Sequence, residues 1–201
     1  MMLASLIFSS MNLIVKQLDD IPVAQIVFMR SIVMLIMVAA IVKKQKIKPF
    51  GSHKKLLIFR GLFGSLGIAF FFYTLHTMPL ASAVVVHYLT PLITVLISVL
   101  ITKVPIAPLR WLFFLLCLVG IYIIEDFDDR VEVVPLVVGV LGTIAASAAY
   151  NVISVLKKSE HHFVIMLYFP MVTVPLVLLY IFISGDWVWT TPLNWLLLCI
   201  I

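Results

Sequence analysis

Charge and cysteine are scarce in this chain. Asp, Glu, Lys and Arg make up 11% of its 201 residues and hydrophobic residues 64%, whereas soluble domains average about 25% and 45–50%. A water-soluble globule of this size cannot hide so much apolar surface. A soluble enzyme, a nucleic-acid-binding module and a disordered chain are excluded. The two cysteines, Cys117 and Cys199, lie far apart inside apolar runs. Neither a disulfide framework nor a metal-binding pair follows from them, and both are expected as small buried hydrophobes. The motifs H-E-x-x-H, G-x-S-x-G, the P-loop and G-x-G-x-x-G are missing. His161 and His162 follow Glu160, but two adjacent histidines cannot both aim at one ion from a helix face. No metal and no other cofactor is expected.

What the chain has in quantity is long apolar runs, with a mean hydropathy of +1.22. A helix crossing hydrocarbon needs about 20 mostly apolar residues. Such runs lie at about 2–18, 22–42, 58–76, 80–101, 110–124, 135–156 and 163–183, and an eighth starts near 193. Barrel strands would alternate apolar and polar residues, which these runs do not. The expected fold is an all-α polytopic membrane protein with about seven and a half transmembrane helices. The first run lacks the basic n-region and cleavage site of a signal peptide and reads as a genuine span. Its marginal length, and the half-helix from Leu193 to Ile201, lead us to expect a fragment of a longer protein.

Charge gives the orientation. Lys43, Lys44, Lys46, Lys48, Lys54 and Lys55, with Arg60 opening the third span, lie between spans 2 and 3. Lys103 and Arg110 follow span 4, and Lys157 and Lys158 follow span 6. The alternate loops hold Asp19, Asp20, Glu125, Asp126, Asp128, Asp129, Glu132 and Asp186, with Lys16 and Arg130 the basic exceptions. Basic loops stay in the cytoplasm, so the N-terminus is expected inside. Trp111, Trp187 and Trp189 suit interfacial anchors.

Spans 1–2 and 6–7 can be superposed by matching Asn12 with Asn151, which sets Arg30 opposite Phe169. The turn is acidic in the first copy and basic in the second. Five spans separate the copies, so the second re-enters the membrane upside down, and the change of sign is what inversion requires. Inverted repeats with a midplane site between them are a common transporter design. The competing reading is that any two helical hairpins look alike.

The segments FSSMNLIVKQLDDIPVAQIVFMRSIV, LLIFRGLFGSLGIAFFFYTLHTMPLASAVVVHYLTPLITVLIS and RWLFFLLCLVGI resemble the EamA-type branch of the drug/metabolite transporter superfamily. They share its arginine in helix 2, its glycine-rich helix 3 ending in a small-residue proline turn, and its polar-x-Pro bend in helix 4. The resemblance implies ten helices in two inverted five-helix repeats, here 1–127 and 133–201, the second truncated in its third helix. It also implies termini inside and movement of small metabolites, often outward.

Arg30 is the sharpest site candidate. Counted from Pro22 it lies about 12 Å deep, where an arginine costs about 2.5–3.5 kcal/mol on the lenient insertion scale. It should face the bundle interior and pair with a carboxylate, with carbonyls or with an anionic substrate; a structural pin is the alternative. His87, Thr90, Thr94 and Ser98 share one face of span 4. Pro91 should bend that helix and free carbonyls for a ligand or water. His87 suits substrate binding or proton carriage, or else a plain interhelical hydrogen bond. Tyr88 points about 100° away from that face, toward cavity or packing.

Ser5, Ser9, Asn12 and Lys16 repeat the spacing of Ser147, Asn151, Ser154 and Lys158. These stripes must face protein or water, so Asn12, Asn151 and Tyr150 are expected to line the opposite wall, with Lys16 and Lys158 snorkelling. Gly61, Gly64 and Gly67 read as a close-packing stripe. Tyr73 and His76 are vestibule candidates, and Pro170 and Pro175, with Pro91, are hinge candidates.

The leading expectation is a secondary-active metabolite transporter, an exporter by its resemblance, working by alternating access. A lipid-linked substrate flippase of the same architecture is the alternative. A non-transporting intramembrane enzyme or assembly factor is the other, and it would need reactive clusters at membrane depth, whereas the carboxylates here sit in loops or at span ends. The expected partners are a small-molecule substrate, the lipid bilayer and a second copy in a homodimer, with no nucleic acid. The expected location is a bacterial inner membrane, crossed many times.

Overall fold

The structure is a computed structural model, which describes residues 2–18, 21–102, 111, 112, 114–116, 119, 133–189, 197 and 198. Its elements are α1 (Met2–Gln17), α2 (Val23–Lys44), α3 (Lys54–Thr77), α4 (Leu80–Tyr88), α5 (Thr90–Thr102), α6 (Val133–Leu156) and α7 (His162–Ser184). No strand occurs among the described residues. Among the described residues five stretches are long and apolar enough to cross a membrane: α2, α3, the α4–α5 pair, α6 and α7. Cys117 and Cys199, most of span 5, and the acidic loop of Glu125 to Glu132 lie outside the described residues.

Prolines start two of these helices. Pro22 and Pro79 stand in the N-cap positions of α2 and α4 at φ −55° and −52°, close to the angle their rings impose. At the other end of α7, Gly185 adopts φ 70° and its N–H bonds Ile181 O at 2.9 Å. That left-handed cap favours glycine, which has no Cβ to clash.

Helix α3 is the centre of the bundle, packed on α6 and α7, while α2 packs on α7 and α5 on α6. Lipid gives apolar side chains little reason to leave it, so close backbone approach must supply the association. Glycine provides that approach. A Cβ at Gly67 would stand 3.0 Å from Ala146 N, and one at Gly142 would stand 2.8 Å from Phe70 Cβ. Gly61 likewise admits Val172. The outward faces are apolar instead of polar; Phe182 is 86% exposed and Leu100 78%, as a helix bathed in lipid requires.

Two of the basic segments share one end of the bundle: Glu160 Oε1, after Lys157 and Lys158, accepts the His53 N–H at 2.7 Å. The opposite end carries a core of Val15, Leu18, Ile21, Phe72, Leu75 and Met78. There Lys16 Nζ donates to His76 O at 3.3 Å and Met78 O at 3.4 Å. Lys16 thus points inward and caps the C-terminus of α3, where the helix dipole favours a cation, in place of the expected snorkelling. Gln25 clasps the segment after α7, donating to Val188 O at 3.0 Å and accepting from Val188 N at 3.2 Å.

Candidate functional site

Pro91 shapes one wall. It has no N–H to give the carbonyl of His87, and the fourth span breaks at Leu89 into α4 and α5. The Thr90 hydroxyl donates to His87 O at 2.6 Å and Thr94 to Thr90 O at 2.7 Å. Helix α6 supplies the rest in matching register. Ser147 Oγ donates to Thr90 O at 3.0 Å and Asn151 Nδ2 to Thr94 O at 3.0 Å. Both pairs are four residues apart, so one face of α6 is tied to the broken edge of the neighbouring span. Asn151 is buried in this arrangement and also donates to Ser147 O. Pro170 and Pro175 have no comparable effect, for α7 runs through both without a break.

Above this wall lies a cavity of about 270 Å³ lined by residues of α1, α2, α3, α4, α6 and α7. Arg30, His87 and Tyr150 meet there, with Met11, Arg60 and Phe169. Tyr88, Thr90 and Pro91 line an adjoining space of about 480 Å³, which shares His87 and Tyr150 with the first. Tyr73 lies elsewhere, on an apolar space of about 490 Å³ between α2, α3, α6 and α7. Asn12 is buried with no hydrogen-bond partner for its Oδ1. Neither asparagine is among the lining residues of these spaces.

Arg30 Nη1 donates to Met11 Sδ at 3.0 Å, a weak acceptor, and its Cζ lies 5.5 Å from the centre of the Phe72 ring. Arg60 is the residue that sequence reading missed. Hydropathy alone starts the third span at about residue 58, so Arg60 reads as a basic residue at the mouth of the span, one more orientation charge. In the structure α3 begins at Lys54, so Arg60 is about 9 Å inside the helix. Its Cζ stands 4.7 Å from the Phe169 ring centre, a cation–π distance. Its Nε and Nη1 are buried without a hydrogen-bond partner. The signal was Gly64, four residues on: a Cβ there would stand 3.0 Å from Arg60 Nη1, so the glycine leaves room for the guanidinium. Among the described residues no carboxylate lines the cavity.

Residues 1–125 match the EamA-like transporter family. The chain belongs to that family. Among its relatives, the pseudopaline exporter CntI of Pseudomonas aeruginosa is 30% identical over 87% of this chain and 64% of its own length. An uncharacterized transporter of Helicobacter pylori is 32% identical over 78% of this chain and 54% of its own. Solute carrier family 35 member G1 of Mus musculus is 22% identical over 92% and 54%. The chain therefore spans between about half and two thirds of the length of these EamA-type relatives. They are transporters, not enzymes.

Proposed function

We propose that this chain forms the substrate-binding core of a secondary-active exporter of small anionic metabolites, working by alternating access. The observation that carries the reading is Arg30, a guanidinium in a cavity inside the bundle that no carboxylate among the described residues neutralises. In a site walled by lipid and apolar side chains such a charge is costly unless water or an anion compensates it. Tyr150 and His87 supply neutral polar contacts beside it. The absence of a nucleotide-binding motif from the sequence leaves a gradient or exchange as the source of work. Outward direction is supported by the exporter among the relatives.

An inverted repeat is supported by equivalent positions. With Asn12 matched to Asn151, Met11 corresponds to Tyr150 and Arg30 to Phe169, and all four line the same cavity. A two-fold that exchanges α2 with α7 also maps the α3–α6 contact onto one between the first and eighth spans. Leu197 and Leu198 pack on the core that holds Val15 and Leu18. Such a dyad suits rocking of two halves about a fixed site. The basic loops support an N-terminus on the cytoplasmic side, and the bacterial exporter among the relatives supports a bacterial inner membrane.

Metabolite profiling of cells with and without the complete gene tests the function. Cells lacking it retain one or more small anions that cells carrying it release to the medium. If only neutral lipid-linked species change, the flippase reading replaces this one. If nothing changes under any growth condition, the carrier reading fails.

A further inference from the structure

The cavity holds two guanidiniums, and recognition of one anionic group uses only one of them. Arg30 and Arg60 come from adjacent helices that run in opposite directions through the bundle. Arg30 lies about 10 Å from the start of α2 and Arg60 about 9 Å from the start of α3, so they enter from opposite ends. Arg30 sits by the Phe72 ring and Arg60 over Gly64, against Phe169. Gly64 and Phe72 are about 12 Å apart along α3. Between the two charges α3 presents Gly64, Gly67, Ile68 and Phe71 to the cavity, an apolar floor for a spacer, with Tyr150 and His87 on other walls.

Among the described residues neither guanidinium has the partner its chemistry asks for. A planar guanidinium fork matches a carboxylate or phosphate in two parallel hydrogen bonds. Here one rests on a thioether and a ring, and the other on a ring with two buried nitrogens unbonded. Two like charges facing one cavity with no carboxylate among its described lining residues repel each other, and a ligand carrying an anionic group at each end removes that repulsion.

We infer that the transported substrate is a small dianion with its two acidic groups separated by an apolar spacer, bound by Arg30 at one end and Arg60 at the other. The inference rests on the carrier reading above for its use in transport, but binding tests it separately. The probes are glutarate, adipate and pimelate with their monomethyl esters, added to the purified full chain in detergent, with thermal protection as the readout.

At least one diacid binds roughly 10–100-fold more tightly than its monoester, the range expected for one charge-assisted contact. In Arg60→Gln that ratio falls to about one, and Arg60→Lys recovers part of it. Gly64→Ala narrows the ratio without removing any charge, because its methyl would stand 3.0 Å from Arg60 Nη1 and crowd the guanidinium out of its present position. Equal affinity for diacid and monoester, no protection by any diacid, or an unaltered ratio in both Arg60→Gln and Gly64→Ala overturns the inference. A wild-type chain that shows the ratio while its gene leaves cellular anions unchanged keeps the dianion site and sinks the carrier reading. Release of monoanions alone does the reverse.

Discussion

Arg30→Ala abolishes export and leaves the protein in the membrane at its usual level. Loss of a charge-assisted pair with the substrate weakens binding by about 1.5–3 kcal/mol, or roughly 10–100-fold, and flux at ordinary substrate levels falls at least in that proportion. Insertion does not suffer, because arginine at this depth opposes partitioning by about 2.5–3.5 kcal/mol and alanine does not. Among the described residues the guanidinium holds a thioether acceptor and the face of Phe72, so its removal disturbs the packing little. Quantified membrane fractions and export of the profiled anion check both halves of the expectation. Unchanged flux at unchanged expression would make Arg30 scaffolding.

Gly67→Leu has the larger structural effect. Its first side-chain carbon meets Ala146 N at 3.0 Å and Ala146 Cα at 3.2 Å, which are backbone atoms of a packed helix and cannot rotate away. The α3–α6 contact must open, and Gly142 and Phe70 on the same seam part with it. Overpacking a tight site costs about 1–3 kcal/mol per added group that cannot be relieved, and leucine adds several. The expected outcome is little or no monodisperse protein after extraction and loss of the cooperative melt. Gly67→Ala gives a folded chain with a lower melting temperature. Gly64→Ala melts close to wild type, since its neighbours are the ends of the Arg60 and Phe169 side chains. A Gly67→Leu chain that purifies and melts normally would mean that this seam does not hold the bundle.

The spans were legible because hydrocarbon imposes one rule, a long apolar run, and α2, α3, α6 and α7 obey it within a few residues. Arg30 was legible for the same reason, as a charge interrupting such a run. Arg60 was not, since a basic residue at the end of an apolar run reads as an orientation charge, whereas α3 begins six residues earlier, at Lys54. Helical spacing identified the face that carries Ser147 and Asn151, but spacing cannot say what the face meets. It meets the carbonyls of Thr90 and Thr94. Local sequence cannot reveal the inward turn of Lys16, because the C-terminus of α3 that it caps is 60 residues away. Pro91, Pro170 and Pro175 look alike as letters. Only the first breaks its span.

The central claim is a wet, electropositive cavity inside the membrane. A cysteine at Met34, which lines the cavity beside Arg30 and Arg60, measures it directly, with Cys117 and Cys199 replaced by alanine. Two thiol reagents of similar size, one bearing a sulfonate and one a trimethylammonium group, are applied in turn to each side of sealed membranes. The account predicts modification from at least one side, faster by the sulfonate reagent, with the preference lost when Arg30 and Arg60 are both changed to glutamine. No modification from either side, or faster reaction with the cationic reagent, would contradict it.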